Sequence, residues 1–125
     1  MKTKLGVEFE IDFAHTLRGH PKCGKPHGHT SRIIVEVEGD VKQGDSYQDN
    51  MVIEFDAMKK TCWDTIQELD HRNLNLDIPY FKNIIPTTEN LAIYIWKKLN
   101  KAIQLNCKIT VVLYETPRNF VEYSE

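Results

Sequence analysis

The chain has 125 residues, 41% of them apolar and 27% charged, with a formal net charge of -2. That length suits a single domain over residues 1–125, and the composition falls in the ordinary globular range. The near-neutral balance argues against a nucleic-acid surface, and no apolar run approaches the roughly 20 residues a bilayer-spanning helix needs, so neither nucleic acid nor membrane is an expected partner.

The N-terminal segment lacks the apolar run of a signal peptide, which makes the cytoplasm the expected address. Lys4 to Phe13 alternates, with Leu5, Val7, Phe9, Ile11 and Phe13 on one parity, and predicts a half-buried strand. Leu17 to Pro26 is a loop rich in Gly, Pro and charge. His27 to Glu38 alternates again, with Ile33, Val35 and Val37 on one face. Gly39 to Asn50 is a polar connection.

The period then changes. Phe55, Met58, Cys62, Ile66 and Leu69 fall at steps of three and four, which predicts an amphipathic helix. Leu74 to Ile85 reads as irregular. Pro86-Thr87-Thr88-Glu89 marks a second helix start, with Thr87 as cap and Leu91, Ile95, Leu99 and Ala102 as its apolar stripe. Cys107 to Tyr114 and Phe120 to Tyr123 complete the pattern as strands around a Pro117-Arg118-Asn119 turn.

Strands and helices come in runs, which predicts an α+β fold: a four-stranded antiparallel sheet, ββααββ along the chain, with two helices on one face. The other sheet face is then left for solvent or for another copy of the chain.

Four of the five histidines lie between positions 15 and 29. His27 and His29 are two apart at a strand start, so they share a face. Pairing of the first two strands would bring His15 beside them. Three neutral imidazoles around one point suit zinc with a fourth position open. Alternatives stand beside this reading. Cys23 could join the three histidines in a closed structural site, or His20 could replace one of them. The three cysteines, Cys23, Cys62 and Cys107, are odd in number and irregularly spaced, which argues against a disulfide framework. Cys62 and Cys107 sit in apolar patterns and read as small core residues. Cys23 lies in a polar loop between Lys22 and Lys25, where a nearby metal and these cations could make it a base or nucleophile, or where it could be a bystander thiol. Asp70 beside His71 could fix the ring's tautomer, or could pair with Arg72. Glu115 at a strand end could accept two N–H bonds from a planar guanidine-like edge, or could simply face solvent.

Several segments together resemble one family. Phe13-Ala14-His15, Cys23-Gly24-Lys25-Pro26-His27-Gly28-His29, Leu69-Asp70-His71-Arg72-Asn73-Leu74-Asn75, Pro86-Thr87-Thr88-Glu89-Asn90 and Tyr114-Glu115-Thr116 occur in the order found in the 6-pyruvoyl- and 6-carboxytetrahydropterin synthases. Met51-Val52-Ile53-Glu54-Phe55 is similar as well.

The resemblance implies a tunnelling fold, subunits joined through their sheets into trimers or hexamers, and a lyase acting on 7,8-dihydroneopterin triphosphate. It implies zinc on His15, His27 and His29, Cys23 as proton acceptor, Asp70 and His71 as relay, Glu115 as pterin anchor, and Thr87 and Thr88 lining the pocket. The site would lie between subunits. Three residues separate Cys23 from His27, as in the carboxy branch, which favours 6-carboxytetrahydropterin, acetaldehyde and triphosphate as products and a place in making deazapurine-modified tRNA bases. The alternative is elimination of triphosphate to 6-pyruvoyltetrahydropterin, which Asp77-Ile78-Pro79-Tyr80-Phe81 and the Thr87-Thr88-Glu89-Asn90 segment resemble. A reading of another class is a non-catalytic, zinc-stabilised assembly module.

Overall fold

The two alternating segments form long paired strands, β1 (Lys2–His15) and β2 (His27–Asp40), in continuous antiparallel register from Lys2 opposite Asp40 to His15 opposite His27. The computed structural model describes all residues from Met1 to Glu125. Beyond a polar connection, α1 covers Phe55–Ile66 and tightens into a 3-10 turn at Gln67–Leu69. β3 is only Arg72–Asn73, and α2 is the single turn Leu74–Asp77. The long helix α3 spans Thr88–Ala102, followed by β4 (Lys108–Tyr114) and β5 (Phe120–Ser124).

The sheet order is β3-β1-β2-β4-β5. Its four main strands are antiparallel, as the sequence pattern predicts, and the two long helices lie on one face. β3 is an addition to the prediction: Arg72 and Asn73 pair in parallel with Phe13 and Ala14. The His71 N–H donates to the Asp12 carbonyl at 2.6 Å and begins this attachment. Two residues carry no readable periodicity. The segment read as irregular also holds α2 and a 3-10 turn at Pro79–Lys82, short enough to escape a helical pattern for the same reason.

Alternation on the strands becomes layering in the fold. Val7, Ile11 and Phe13 of β1, Ile33, Val35 and Val37 of β2, and Ile109, Val111 and Leu113 of β4 form the helix-facing layer, all buried. Met58, Cys62 and Ile66 of α1 and Leu91, Ile95 and Leu99 of α3 close it from above. Thr87 caps α3 by accepting the Asn90 N–H at 3.1 Å, with Glu89 in the first turn and Lys101 in the last, complementing the helix dipole.

Two stripe residues behave otherwise. Phe55 is 54% exposed and Ala102 is exposed, both in terminal turns. Cys62 is fully buried, and desolvation pushes its thiol up to about 12. Cys107 is only half-buried at the margin of the core. The opposite sheet face carries Glu8, Glu10, Arg32, Glu36 and Glu122. No helix is long and apolar enough to cross a membrane.

Candidate active site

The core layer ends in polar residues. His15 continues the parity of Ile11 and Phe13. His27 and His29 continue that of Ile33 and Val35, and Glu115 that of Val111 and Leu113. The antiparallel register sets His15 directly opposite His27 and Phe13 opposite His29. The periodicity that builds the core thus gathers three imidazoles and a carboxylate at one end of the sheet.

The three rings lie with centroids 4.6, 4.9 and 5.0 Å apart. One ring nitrogen from each lies within 4.8 Å of the other two. Nδ1 of His15 is 2.8 Å from the Pro86 carbonyl and Nδ1 of His27 is 2.8 Å from the Lys25 carbonyl. A carbonyl only accepts, so both Nδ1 atoms carry the proton and both Nε2 atoms present lone pairs. Nε2 of His15, His27 and His29 are all buried without a hydrogen-bond partner. Converging, desolvated lone pairs repel one another and lack a donor, and a cation resolves both problems. The donor set of three imidazoles and the outer carbonyls that orient two of them suit zinc. Cys23 is not part of this cluster, which sets it apart from a closed three-histidine, one-cysteine site.

Electrostatics agree with a neutral cluster. The pKa of His15 is lowered, chiefly by burial, against the raising effect of its bond to Pro86, with His27 and His29 lowering it further. The pKa of His29 is lowered by burial, opposed by Glu115. Glu115 Oε1 sits 3.7 Å from His29 Nε2, too far for a hydrogen bond, and the Thr88 hydroxyl donates to Glu115 Oε2. Thr88 therefore ties the start of α3 to the end of β4. Thr87 serves α3 itself, since its hydroxyl oxygen accepts the Asn90 N–H.

Asp70 and His71 form a second group. Asp70 Oδ1 accepts the Asp12 N–H at 2.9 Å, and Asp70 Oδ2 lies 3.7 Å from His71 Nε2. His71 has φ +59° and a side chain 78% exposed. It lines a cavity of about 500 Å³ with Asp12, His29 and Asn73. A second cavity, about 700 Å³, meets the first at Gly28, His29 and Thr30 and is lined by Glu115, Tyr114 and Arg32. The two cavities flank His29 on either side. Cys23 lines neither and sits half-buried in the loop between β1 and β2. One chain therefore brings His15, His27, His29, Thr88 and Glu115 together, brings Asp70 to His71, and keeps Cys23 apart.

Several contributors escape sequence reasoning. The Pro86 and Lys25 carbonyls are backbone groups with no side-chain signal. Arg32, a candidate triphosphate-binding cation by its proximity in sequence, lines the second cavity, stacks over the Tyr114 ring at 4.2 Å and reaches Glu8 at 3.2 Å. His20, considered from sequence as a substitute ligand, instead accepts backbone N–H groups through Nδ1.

Comparison with known proteins agrees with the fold. The profile of the family described as 6-pyruvoyl tetrahydropterin synthase matches residues 4–125. The 6-pyruvoyl tetrahydrobiopterin synthase of Pongo abelii is 40% identical over 105 residues, covering 82% of this chain and 70% of its own. A candidate 6-carboxy-5,6,7,8-tetrahydropterin synthase of Archaeoglobus fulgidus is 35% identical over 95 residues, covering 76% of this chain and 74% of its own. Among solved structures, the Caenorhabditis elegans 6-pyruvoyl tetrahydropterin synthase superposes with a TM-score of 0.86 at 27% identity, over 100% of this chain and 96% of that one. The mixed α+β architecture is that of the tunnelling fold. The chain belongs to the 6-pyruvoyl tetrahydropterin synthase family. It is a pterin-modifying enzyme of lyase type.

Proposed function

We propose that the chain is a zinc-dependent lyase that takes 7,8-dihydroneopterin triphosphate and eliminates triphosphate to give 6-pyruvoyltetrahydropterin. The observation that carries the reading is the convergence of three buried, unpartnered imidazole nitrogens beside Glu115. Support for this product comes from the relatives: the Pongo abelii protein of that name is more similar, over a longer match, than the carboxy-type protein of Archaeoglobus fulgidus.

His15, His27 and His29 would hold zinc, which supplies Lewis acidity for the substrate's side-chain hydroxyls. Glu115, steadied by Thr88, would accept two N–H bonds from the pterin's amino-amide edge. The Cys23 thiolate would move protons at the carbons next to the ring imine, with Asp70 and His71 relaying them. Such shifts reduce the ring internally, so a nicotinamide is not required. Departing triphosphate takes the electron pair of the broken C–O bond. Because Cys23 does not line the cavity that His71 lines, the complete site would form between subunits of a homo-oligomeric ring, trimer or hexamer.

One observation favours a second reading. Only Gly24, Lys25 and Pro26 separate Cys23 from His27, the spacing associated with the carboxy branch, in which a carbon–carbon bond also breaks and acetaldehyde leaves.

Incubation with dihydroneopterin triphosphate and mass analysis of products decides between them. The pyruvoyl product supports the first reading, and 6-carboxytetrahydropterin with acetaldehyde replaces it with the second. Cys23→Ala is expected to retain about one zinc per chain while losing turnover; loss of zinc in that variant would count against the whole scheme.

A further inference from the structure

The loop between β1 and β2 is folded around one ring. His20 Nδ1 accepts the Lys22 N–H at 3.0 Å and the Cys23 N–H at 2.8 Å. The His20 main chain joins the same network: its N–H donates to the Leu17 carbonyl at 3.0 Å, and its carbonyl accepts the Gly24 N–H at 3.0 Å. The Leu17 N–H closes the loop onto the Cys23 carbonyl at 2.8 Å. Gly19 makes the turn before His20 with φ +87°, and a Cβ at Gly24 would lie 2.5 Å from the His20 carbonyl oxygen. Both backbone groups of Cys23 are therefore held, one of them by the imidazole.

We propose that His20 is a positioning residue that fixes the direction of the Cys23 side chain, acting as an acceptor cap on the N–H groups two and three residues ahead. This rests on the assignment of Cys23 as the proton-transfer group. The pattern is that of a side chain replacing a backbone turn acceptor, a task usually done by Asn or Asp. With Nδ1 accepting twice, the ring proton sits on Nε2, and Nδ1 has no lone pair left for a metal. That accounts for His20 standing outside the histidine cluster.

The loop is largely exposed, so without His20 the freed N–H groups bind water at little cost to global stability. Direction is what is lost. A thiolate that moves a proton must stay within hydrogen-bond reach of the carbon it serves, and a displacement near 1 Å costs on the order of 100-fold in rate.

The test uses His20→Ala and His20→Asn in the full-length, zinc-loaded protein, with the Asn variant keeping a side-chain acceptor. For His20→Ala we expect unchanged zinc content and melting temperature, little change in KM, and a fall in kcat of about 10- to 100-fold. Alkylation of Cys23 by iodoacetamide, followed by mass spectrometry of its peptide, should be several-fold faster than in the wild type. His20→Asn should restore most of kcat and the slow alkylation. Wild-type kcat and alkylation in His20→Ala overturn the proposal, as does loss of zinc, or an Asn variant no better than Ala. Alkylation is independent of turnover. A wild-type protein inactive on dihydroneopterin triphosphate therefore refutes the proposed reaction, while the alkylation arm still decides whether His20 holds Cys23.

Discussion

Glu115, for which the sequence leaves both a pterin-edge acceptor and a solvent-facing carboxylate open, is placed by the structure beside the histidine cluster. It follows β4 on the parity of Val111 and Leu113, and its Oε1 lies 3.7 Å from His29 Nε2 with the side chain 28% exposed. Thr88 engages one of its oxygens, leaving the other near His29. Hydrogen bonds to a charged group are worth roughly 1.5–3 kcal/mol each, so Glu115→Gln should raise KM for the pterin triphosphate at least about 10-fold. Steady-state kinetics with zinc content held equal measures this, and an unchanged KM would remove Glu115 from substrate binding. His71 is the counterexample. Its adjacency to Asp70 is plain in the sequence, yet its positive φ and its exposure come from the β3 attachment to β1.

At the scale of elements, α3 links stability to the site. Its cap, Thr87, follows the Pro86 carbonyl that orients His15 and precedes the Thr88 hydroxyl that holds Glu115. Three successive residues thus start a helix and set the His15 and Glu115 side chains. Thr87→Ala should cost about 1 kcal/mol in denaturant unfolding, the usual value of an N-cap hydroxyl. A cost near zero would mean that packing of Leu91, Ile95 and Leu99 holds the helix start without the cap. The Pro-Thr-Thr-Glu signature and the apolar stripe made α3 legible in the sequence. β1 and β2 were legible too, because each has one buried face and period two, while β4 reads as a continuous apolar run buried on both faces. β3 was not: two residues pair with a neighbour 59 positions away, from Phe13 to Arg72, and leave no local pattern.

At the scale of the molecule, the histidine cluster links folding to pH and metal. Burial holds the pKa of His15 and His29 below the ordinary value of 6.5. In the metal-free protein the sign follows from linkage. Above about 6.5 both states are neutral there, and no penalty exists. As pH falls below that value the unfolded chain takes up protons that the folded chain resists, so stability drops until the lowered folded-state values are reached. Metal-free protein should therefore melt at a lower temperature at pH 5.5 than at pH 7.5, and His15→Gln should reduce the difference. Equal slopes for the two proteins would place the acid sensitivity elsewhere. With the proposed zinc site on these three histidines, saturating zinc should raise the melting temperature at neutral pH and lose that effect as the rings protonate.

Local pattern by itself determined the α+β class, the four main strands, both long helices and the grouping of His15, His27 and His29. Each of these rests on spacing along the chain: period two, period 3.6, or two ligand-type residues on one face of a strand. Tertiary structure alone decided that the histidine nitrogens point inward with nothing to bond, because the Pro86 and Lys25 carbonyls that turn two of the rings come from other parts of the backbone. It also decided that Cys23 stands apart from the cluster, held by His20, since a loop closed by backbone hydrogen bonds has no periodicity for a sequence to show.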